Sequence, residues 1–161
     1  MIKRIAPGQE SVWDYPRPAR VEPVSATIKV VFNGVVIAES NCAYRVLETS
    51  HPPVYYIPQD DIQMQYLTPH ARRTFCEFKG QAAYWDLQVN DRESSLAAWC
   101  YPNPNHAYSD IKDHLAFYAS RIDEAFVGDE IVQAQAGDFY GGWITSNIVG
   151  PFKGGPGTMR W

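Results

Sequence analysis

The chain has 161 residues, of which 45% are hydrophobic, 20% are charged and 14% are aromatic, and its net charge is −4 at pH 7. This length suffices for one domain with a continuous apolar core, and no apolar run approaches the roughly 18 residues that a membrane helix needs. Because the 14 Lys and Arg residues are scattered, the composition predicts a soluble protein that binds neither membranes nor nucleic acid.

The N-terminus and the cysteines indicate a cytoplasmic protein. Residues 1–7 include two basic side chains but no apolar stretch follows them, so they do not resemble a secretory signal. The cysteines are three, an odd number without close pairs: Cys42, Cys76 and Cys100. We therefore expect reduced thiols in a reducing compartment.

The composition divides the chain into three parts. Residues 1–26 contain four prolines, which disfavour helix and predict an extended N-terminal arm. We expect a β-rich core domain over residues 27–125. Residues 126–161, rich in Gly and aromatic side chains, are predicted to form an extension that packs on the same domain.

The first strong structural signal is a β-hairpin around Asn33-Gly34. This pair tolerates the positive φ angles of a two-residue type I′ turn better than other pairs do. The resulting register pairs Phe32 with Val35, Val31 with Val36 and Val30 with Ile37. Both faces of the hairpin are partly apolar, so we expect it to lie inside a sheet.

Further strands follow this hairpin. Residues 43–49 are compatible with a strand or a short helical turn, whereas residues 54–57 predict a strand that Pro58 ends. Residues 81–89 alternate between apolar and polar side chains, and a polar turn at 90–93 separates them from residues 94–100. These two runs predict a second hairpin.

One short helix is expected. Ser109 or Asp110 would cap it, and Ile111 and Leu115 would share its buried face. From Ala125 onward the frequent glycines predict loop with one or two short strands. The predicted fold is thus mainly β, α+β at most, as a compact single domain of antiparallel sheets.

The segment from Thr74 to Gly80 has the highest density of reactive side chains. A thiolate is stabilised by a nearby ammonium group, so Lys79 would make Cys76 reactive near neutral pH. The alternative is that Cys76 is a packed small hydrophobe and that Lys79-Gly80 is a turn.

Adjacent carboxylates follow Pro58. Neighbouring residues of an extended chain point to opposite faces, so at most one of Asp60 and Asp61 would reach a given site. We favour Asp61 as a general base or metal ligand, and a capping or Asx-turn role is the alternative.

Aromatic side chains suggest a pocket for a planar ligand. Tyr56, Trp85 and Trp99 would form its walls, although core packing is the alternative. The four histidines show no zinc-binding spacing, and the tail from Gly150 lacks the spacing of a phosphate-binding loop. We therefore expect no metal and no cofactor.

Several motifs in this order resemble the domain-of-unknown-function 427 family. They are Asn-Gly-x-x-Ile-Ala-Glu-Ser, Tyr56-x-Pro58-x-x-Asp61, Thr74-x-Cys76-x-x-Lys79-Gly80, Trp99-x-Tyr101 and Ala116-Phe117-Tyr118. The resemblance covers roughly residues 20 to 125, and the Gly-rich tail is similar to that of a longer version of the family.

Membership would imply a small, mainly β domain with bent sheets, β-tent or barrel-like in outline, without the paired cysteines that hold zinc in similar modules. The family has also been labelled a nucleotidyltransferase. Many such enzymes use a Gly-Ser pair followed by closely spaced carboxylates that bind two metal ions, and this chain shows neither. The positions that match the family pattern are Tyr56, Asp61, Thr74, Cys76, Lys79 and Trp99.

Two functions remain open at this point. The first is a small-molecule-binding domain or small enzyme. If it is catalytic, Asp61 would be a base or metal ligand, Cys76 a nucleophile or polar anchor, and Lys79 an anion holder. Its predicted ligand-binding residues are Tyr56, Thr74, Trp99 and Tyr101. The second is a protein-interaction or self-association module, for example a homodimer, that uses the arm and the C-terminal extension.

Overall fold

A computed structural model describes residues 5–137 and 139–161 of the chain. Residues 1–4, at the start of the expected arm, and residue 138, in the expected extension, lie outside the described residues. Within the described ranges the regular structure consists of short β-strands and 3₁₀ turns, which confirms the predicted mainly β class. No helix in these ranges is long and apolar enough to cross a membrane.

The strands are numbered in chain order. The first six are β1 (Glu10–Ser11), β2 (Arg20–Pro23), β3 (Ile28–Phe32), β4 (Val35–Ser40), β5 (Tyr44–Leu47) and β6 (Val54–Tyr56). The three longest are β7 (Leu67–Cys76), β8 (Gly80–Val89) and β9 (Arg92–Cys100). The last six are β10 (Ala116–Phe117), β11 (Glu124–Val127), β12 (Glu130–Ile131), β13 (Gln133–Ala134), β14 (Trp143–Ile144) and β15 (Ile148–Val149). The 3₁₀ turns are Val12–Asp14, Gln59–Asp61, Met64–Tyr66, His106–Ile111 and Ala119–Arg121.

These strands form several small sheets. Two sheets have four strands, in the orders β10-β9-β8-β7 and β12-β11-β3-β4, and a third has the order β2-β5-β6. All three are antiparallel, whereas the two-stranded sheet of β1 and β15 is parallel. The described strands do not close into a barrel.

The first hairpin forms at the predicted turn, where Asn33 and Gly34 have φ angles of 48° and 78°. Phe32 pairs with Val35 and Val31 with Val36, as predicted. The predicted pairing of Val30 with Ile37 is wrong, because the register shifts between Val30 and Val31 and Val30 pairs with Ala38. Such a bulge places one additional residue on the second strand, and an unaligned sequence gives no sign of it.

The second hairpin is tighter than expected. β8 and β9 are joined by Asn90 and Asp91 alone, with Asn90 at a φ of 55°, so that Arg92 and Glu93 belong to β9. Residues 44–47, which were compatible with either strand or helix, form β5 between β2 and β6.

The predicted helix boundaries are wrong. The helical turn His106–Ile111 is a 3₁₀ turn that follows Asn105, and it is interrupted at Tyr108, where φ is −116° and ψ is 20°. Asp113 has a φ of 58°, which ends helical geometry, and Leu115 lies in extended chain opposite Ile57. Leu115 therefore does not share a helix face with Ile111.

The C-terminal residues contain more strands than the one or two expected. β12 to β15 and all but the first residue of β11 lie there, but most of these strands are two residues long, too short to produce an alternating pattern in the sequence. Their buried anchor is Trp143, which is 1% exposed. Its indole N–H donates to the carbonyl of Phe117 at 2.9 Å, and its ring stacks on Tyr55.

The long sheet separates two clusters of buried side chains. Leu87 and Val89 of β8 pack in the larger, mainly aliphatic cluster, together with Trp143. Tyr84 of the same strand packs in a second cluster that is rich in tyrosine and tryptophan. The candidate site borders this second cluster.

Candidate functional site

A cavity of about 300 Å³ lies beside the aromatic cluster, where β6, the ends of β7 and β9 and the C-terminal residues meet. This volume is at the lower end of the roughly 300–1,000 Å³ that is typical of small-molecule sites. The cavity therefore has room for a small ligand only.

Six of the seven predicted site residues line this cavity: Tyr56, Thr74, Cys76, Lys79, Trp99 and Tyr101. The sheet explains their convergence. Both β7 and β9 run antiparallel to β8 between them, so their C-terminal ends lie at the same end of the sheet. Tyr56, on β6, reaches the same place from the neighbouring three-stranded sheet.

Asp61 is the seventh, and it does not line the cavity. It ends the 3₁₀ turn Gln59–Asp61, where its carboxylate accepts a hydrogen bond of 2.6 Å from the hydroxyl of Ser40 on β4. The structure thus does not bring Asp61 together with Cys76 and Lys79. This bond joins the 3₁₀ turn to β4, and it is neither a helix cap nor an Asx turn.

Trp85 is also away from the cavity. Its indole N–H donates to the sulfur of Cys100 at 3.3 Å, and its ring packs against the larger cluster. Burial raises the pKa of the Cys100 thiol, so this cysteine is a packed, protonated residue.

The aromatic wall consists of packed rings. The ring centroids of Trp99 and Tyr118 are 4.6 Å apart, and the Tyr56 ring meets Trp99 edge-on at 6.2 Å. Burial raises the pKa of the phenols of Tyr56, Tyr101 and Tyr118. These hydroxyl groups therefore stay neutral near pH 7 and do not repel an anion.

Lys79 is buried in this wall, with 8% of its surface exposed. Its ammonium lies 5.9 Å from the ring centroids of Tyr101 and Tyr108. Within residues 5–137 and 139–161 it forms neither a hydrogen bond nor an ion pair. It is a cation held by aromatic faces at the edge of a cavity.

Lys153 adds a second cation from the C-terminal residues. Its ammonium lies 5.7 Å from the Tyr140 ring centroid and donates to the backbone oxygen of Trp161 at 3.2 Å. Its backbone N–H donates to the carbonyl of Ser50 at 2.8 Å, and its carbonyl accepts from the side chain of Gln135 at 2.6 Å. These bonds fix the lysine opposite residues 50–51.

His51 lines the same cavity. Its Nδ1 is 3.3 Å from the amide nitrogen of Gln135, and its Nε2 is 3.8 Å from a carboxylate oxygen of Glu48. Burial lowers the pKa of His51 to about 4; Glu48 opposes this shift, and Lys153, Arg17 and Lys79 reinforce it. The imidazole is therefore neutral at pH 7.

Positive charge exceeds negative charge around the cavity. Glu48 is the one carboxylate among the described lining residues, and it lies 3.7 Å from the guanidinium of Arg17. Lys79 has no such carboxylate partner among the described residues, whereas the Lys153 ammonium lies 3.2 Å from an oxygen of Trp161, the last residue of the sequence. Nor do those residues contain a group of three or more His, Cys, Asp or Glu side chains that could hold a metal ion.

The sequence did not reveal the part of the wall that comes from distant segments, namely Glu48, His51, Gln135, Tyr140 and Lys153. One signal was present in Gly141-Gly142. A Cβ atom on Gly141 would lie 2.1 Å from the Trp99 ring, so only glycine fits there. Lys153 stands among glycines and prolines of the tail, and no sequence pattern there marks its side chain as part of a cavity.

The expected C-terminal extension is not separate from the cavity. Its lining residues are Gln135, Phe139, Tyr140, Gly141 and Lys153. Removing residues 128–161 would therefore alter the cavity as well as any docking surface. Such a deletion does not distinguish the ligand-binding hypothesis from the self-association hypothesis.

The fold and the cavity define a small antiparallel β domain with an aromatic, positively charged pocket. Residues 20–128, more than half of the chain, match a family model described as "Domain of unknown function (DUF427)". The chain belongs to this family, as the motifs predicted. No curated protein sequence matches it. The matched range contains Tyr56 to Tyr101 but neither Gln135 nor Lys153.

Proposed function

We propose that this protein is a small-molecule-binding domain whose cavity holds a small anion with a flat apolar body. The observation that carries the proposal is Lys79, a side chain that is 8% exposed and has no hydrogen bond or ion pair within the described residues. It lines the cavity, so a bound ligand would contact it.

The positive charge of the two cavity lysines determines that the ligand is an anion. A buried ammonium without a partner loses hydration, and such groups in proteins are usually paired. The faces of Tyr101 and Tyr108 replace part of that hydration. An anion that enters the cavity would supply the missing partner, whereas a cationic ligand would be repelled by both lysines.

The walls decide the shape of the ligand. Tyr56, Trp99 and Tyr118 present aromatic surface to the cavity, and aromatic faces favour stacking with planar groups. Thr74 and Tyr84 share a hydrogen bond of 2.9 Å at the same wall and offer a polar contact. A carboxylate or phosphate attached to a flat ring fits this combination.

Nucleotidyl transfer, the activity with which the family has been labelled, finds little support in the cavity. Two metal ions would need several closely spaced carboxylates. The lining residues within the described ranges contain Glu48 alone, which is paired with Arg17. This donor set does not fit two Mg²⁺ ions, and a nucleophilic role of Cys76 stays a prediction.

Ligand titration by isothermal calorimetry tests the proposal. Benzoate and indole-3-acetate would be the anionic probes, and benzamide would be their uncharged counterpart. We expect the acids to bind more tightly than benzamide. Lys79→Met should weaken the binding of the acids by about tenfold or more, since a charge-assisted contact to a buried group contributes about 1.5–3 kcal/mol.

Lys112→Met is the matched control because Lys112 is exposed and does not line this cavity. Its affinities should equal those of the wild type. Equal binding of acids and benzamide, or no effect of Lys79→Met in a folded variant, would contradict the proposal.

A further inference from the structure

We propose that Cys76 is a covalent attachment site for small anionic electrophiles, carboxylates with an electrophilic carbon, whose charged group contacts Lys79. The inference rests on the proposed function and names the chemistry that a bound anion can undergo in the same cavity. It depends on two side chains, a free thiol and a buried ammonium, and both line the cavity.

The edge strand β7 brings the thiol to the cavity. Cys76 is its last residue, and Thr74, two residues before, lies on the same face of the strand. Both side chains line the cavity, and Cys76 packs against the aromatic cluster while it stays half-buried. Phe75 lines the cavity too and is exposed, so this part of the wall borders solvent. A small reagent therefore has access to the thiol.

The hairpin of β7 and β8 fixes Lys79 close to this thiol. Cys76 pairs with Gly80, and Lys79 directly precedes Gly80. Because paired residues have Cα atoms about 4.5–5.5 Å apart and consecutive Cα atoms are about 3.8 Å apart, the Cα atoms of Cys76 and Lys79 lie within about 9 Å. Asn105 holds the turn from outside. Its backbone N–H donates to the carbonyl of Lys79 at 3.1 Å, and its side-chain amide donates to the carbonyl of Phe78 at 2.5 Å.

The ammonium of Lys79 is the independent sign of a ligand beside the thiol. It is buried against the faces of Tyr101 and Tyr108, and within residues 5–137 and 139–161 it has no hydrogen bond or ion pair. A carboxylate would supply this partner, and the cavity has room for a small ligand only. An anion bound at Lys79 therefore lies next to Cys76, which raises the local concentration of its electrophilic carbon.

The reaction is a substitution at carbon. With a haloacid, the thiolate sulfur attacks the carbon that carries the halogen, so that a C–S bond forms and the carbon–halogen bond breaks. The halide leaves with the bonding electron pair, and the thiol proton goes to water. The carboxylate is unchanged and stays on the ammonium. No oxidant or reductant is consumed.

The test compares alkylation of the full chain by iodoacetate and by iodoacetamide at pH 7.5, with each cysteine followed by peptide mass spectrometry. The two reagents have nearly the same size and differ in charge. Cys42, which is exposed, is the internal reference, and Cys100, which is buried, should react slowly with both reagents. We expect the ratio of the iodoacetate rate to the iodoacetamide rate to be about tenfold higher at Cys76 than at Cys42.

Variants of the lysine show whether its charge is the cause. Lys79→Met should lower the ratio at Cys76 to within about twofold of the ratio at Cys42, whereas Lys79→Arg keeps the charge and should keep most of the preference. Lys112→Met, at an exposed position outside this cavity, should match the wild type. Slow alkylation of Cys100 in each variant shows that the variant is folded.

Protection by a bound anion needs no variant. Benzoate, at concentrations near its calorimetric dissociation constant, should slow the reaction of iodoacetamide with Cys76 and leave the reaction at Cys42 unchanged. Protection of both cysteines alike, or of neither, would contradict a shared site.

The outcomes separate the two proposals. Equal rate ratios at Cys76 and Cys42, or alkylation of Cys76 as slow as that of Cys100, would overturn the covalent site. If benzoate still binds in calorimetry and requires Lys79, the proposed function stands in that case. If benzoate does not bind and the rate ratios are equal, both proposals are overturned.

Discussion

At the scale of single residues, the shape of the cavity depends on a close contact between Gly141 and the Trp99 ring as well as on its polar and charged side chains. Gly141 lies against the Trp99 ring, and no side chain fits between them. Trp99 in turn contacts Tyr56 and Tyr118, so its position fixes the aromatic wall. A glycine that carries no functional group is therefore part of the cavity wall.

Substituting this glycine tests that dependence. Gly141→Ala places a Cβ atom 2.1 Å from the Trp99 ring, so the ring must move. We expect a loss of roughly 1–3 kcal/mol in the free energy of unfolding, as for other overpacked sites, and weaker binding of benzoate. Urea denaturation and calorimetry measure the two effects.

Gly155→Ala is the matched control, because a Cβ atom there meets nothing within 4 Å. It should leave stability within about 0.5 kcal/mol of the wild type. If both variants behave alike, close packing on Trp99 is not what fixes the wall.

At the scale of elements, the short C-terminal strands are held by the core rather than by their own length. β13 and β14 pair over two residues each, which provides few hydrogen bonds. Trp143 of β14 is buried between Tyr55 and the Phe117 carbonyl, and this side chain anchors the pair. Gln135, directly after β13, and Gly141, two residues before β14, depend on this anchor.

Replacing the anchor should destabilise the whole domain. Trp143→Ala removes a large side chain that is 1% exposed and leaves the Phe117 carbonyl without its donor. We expect a loss of about 3–5 kcal/mol in unfolding free energy, measured by urea denaturation. Phe139→Ala, at a side chain that is 60% exposed, should cost far less, and a small effect of Trp143→Ala would show that the C-terminal strands pack independently of the core.

The sequence predicted elements whose signals are local. Asn33-Gly34 and the alternation over residues 81–89 indicated both hairpins, because the residues inside a turn or a strand themselves form its sequence pattern. The bulge at Val30 and the two-residue strands are set by distant partners, so no local pattern marked them. The same division holds in the site: residues near the Thr74 to Lys79 motif were predicted, and Lys153, brought there by folding, was not.

At the scale of the whole molecule, the half-buried His51 links the cavity to global stability. The folded-state pKa of His51 is lowered to about 4, while the unfolded chain has the ordinary value of about 6.5. Below pH 6.5 the unfolded state therefore binds a proton that the folded state does not. Folding stability contributed by this residue is intact above pH 6.5 and is lost as the pH falls from 6.5 to 4.

We expect His51→Gln to weaken this pH dependence. Between pH 7 and pH 4 the wild type should lose on the order of 1–3 kcal/mol of unfolding free energy more than the variant does. Urea denaturation at several pH values measures the difference. His106→Gln, which changes an exposed histidine, should follow the wild type, and identical pH profiles for His51→Gln and the wild type would contradict the assignment.

The parallel pairing of β1 with β15 joins chain segments near opposite ends of the sequence, at Glu10–Ile148 and Ser11–Val149. A ribosome releases residue 10 long before residue 148, so β1 must wait for its partner during synthesis. Lys153 emerges later still. A nascent chain that has already formed both hairpins would consequently have an incomplete cavity wall, which is completed only after translation has passed that lysine.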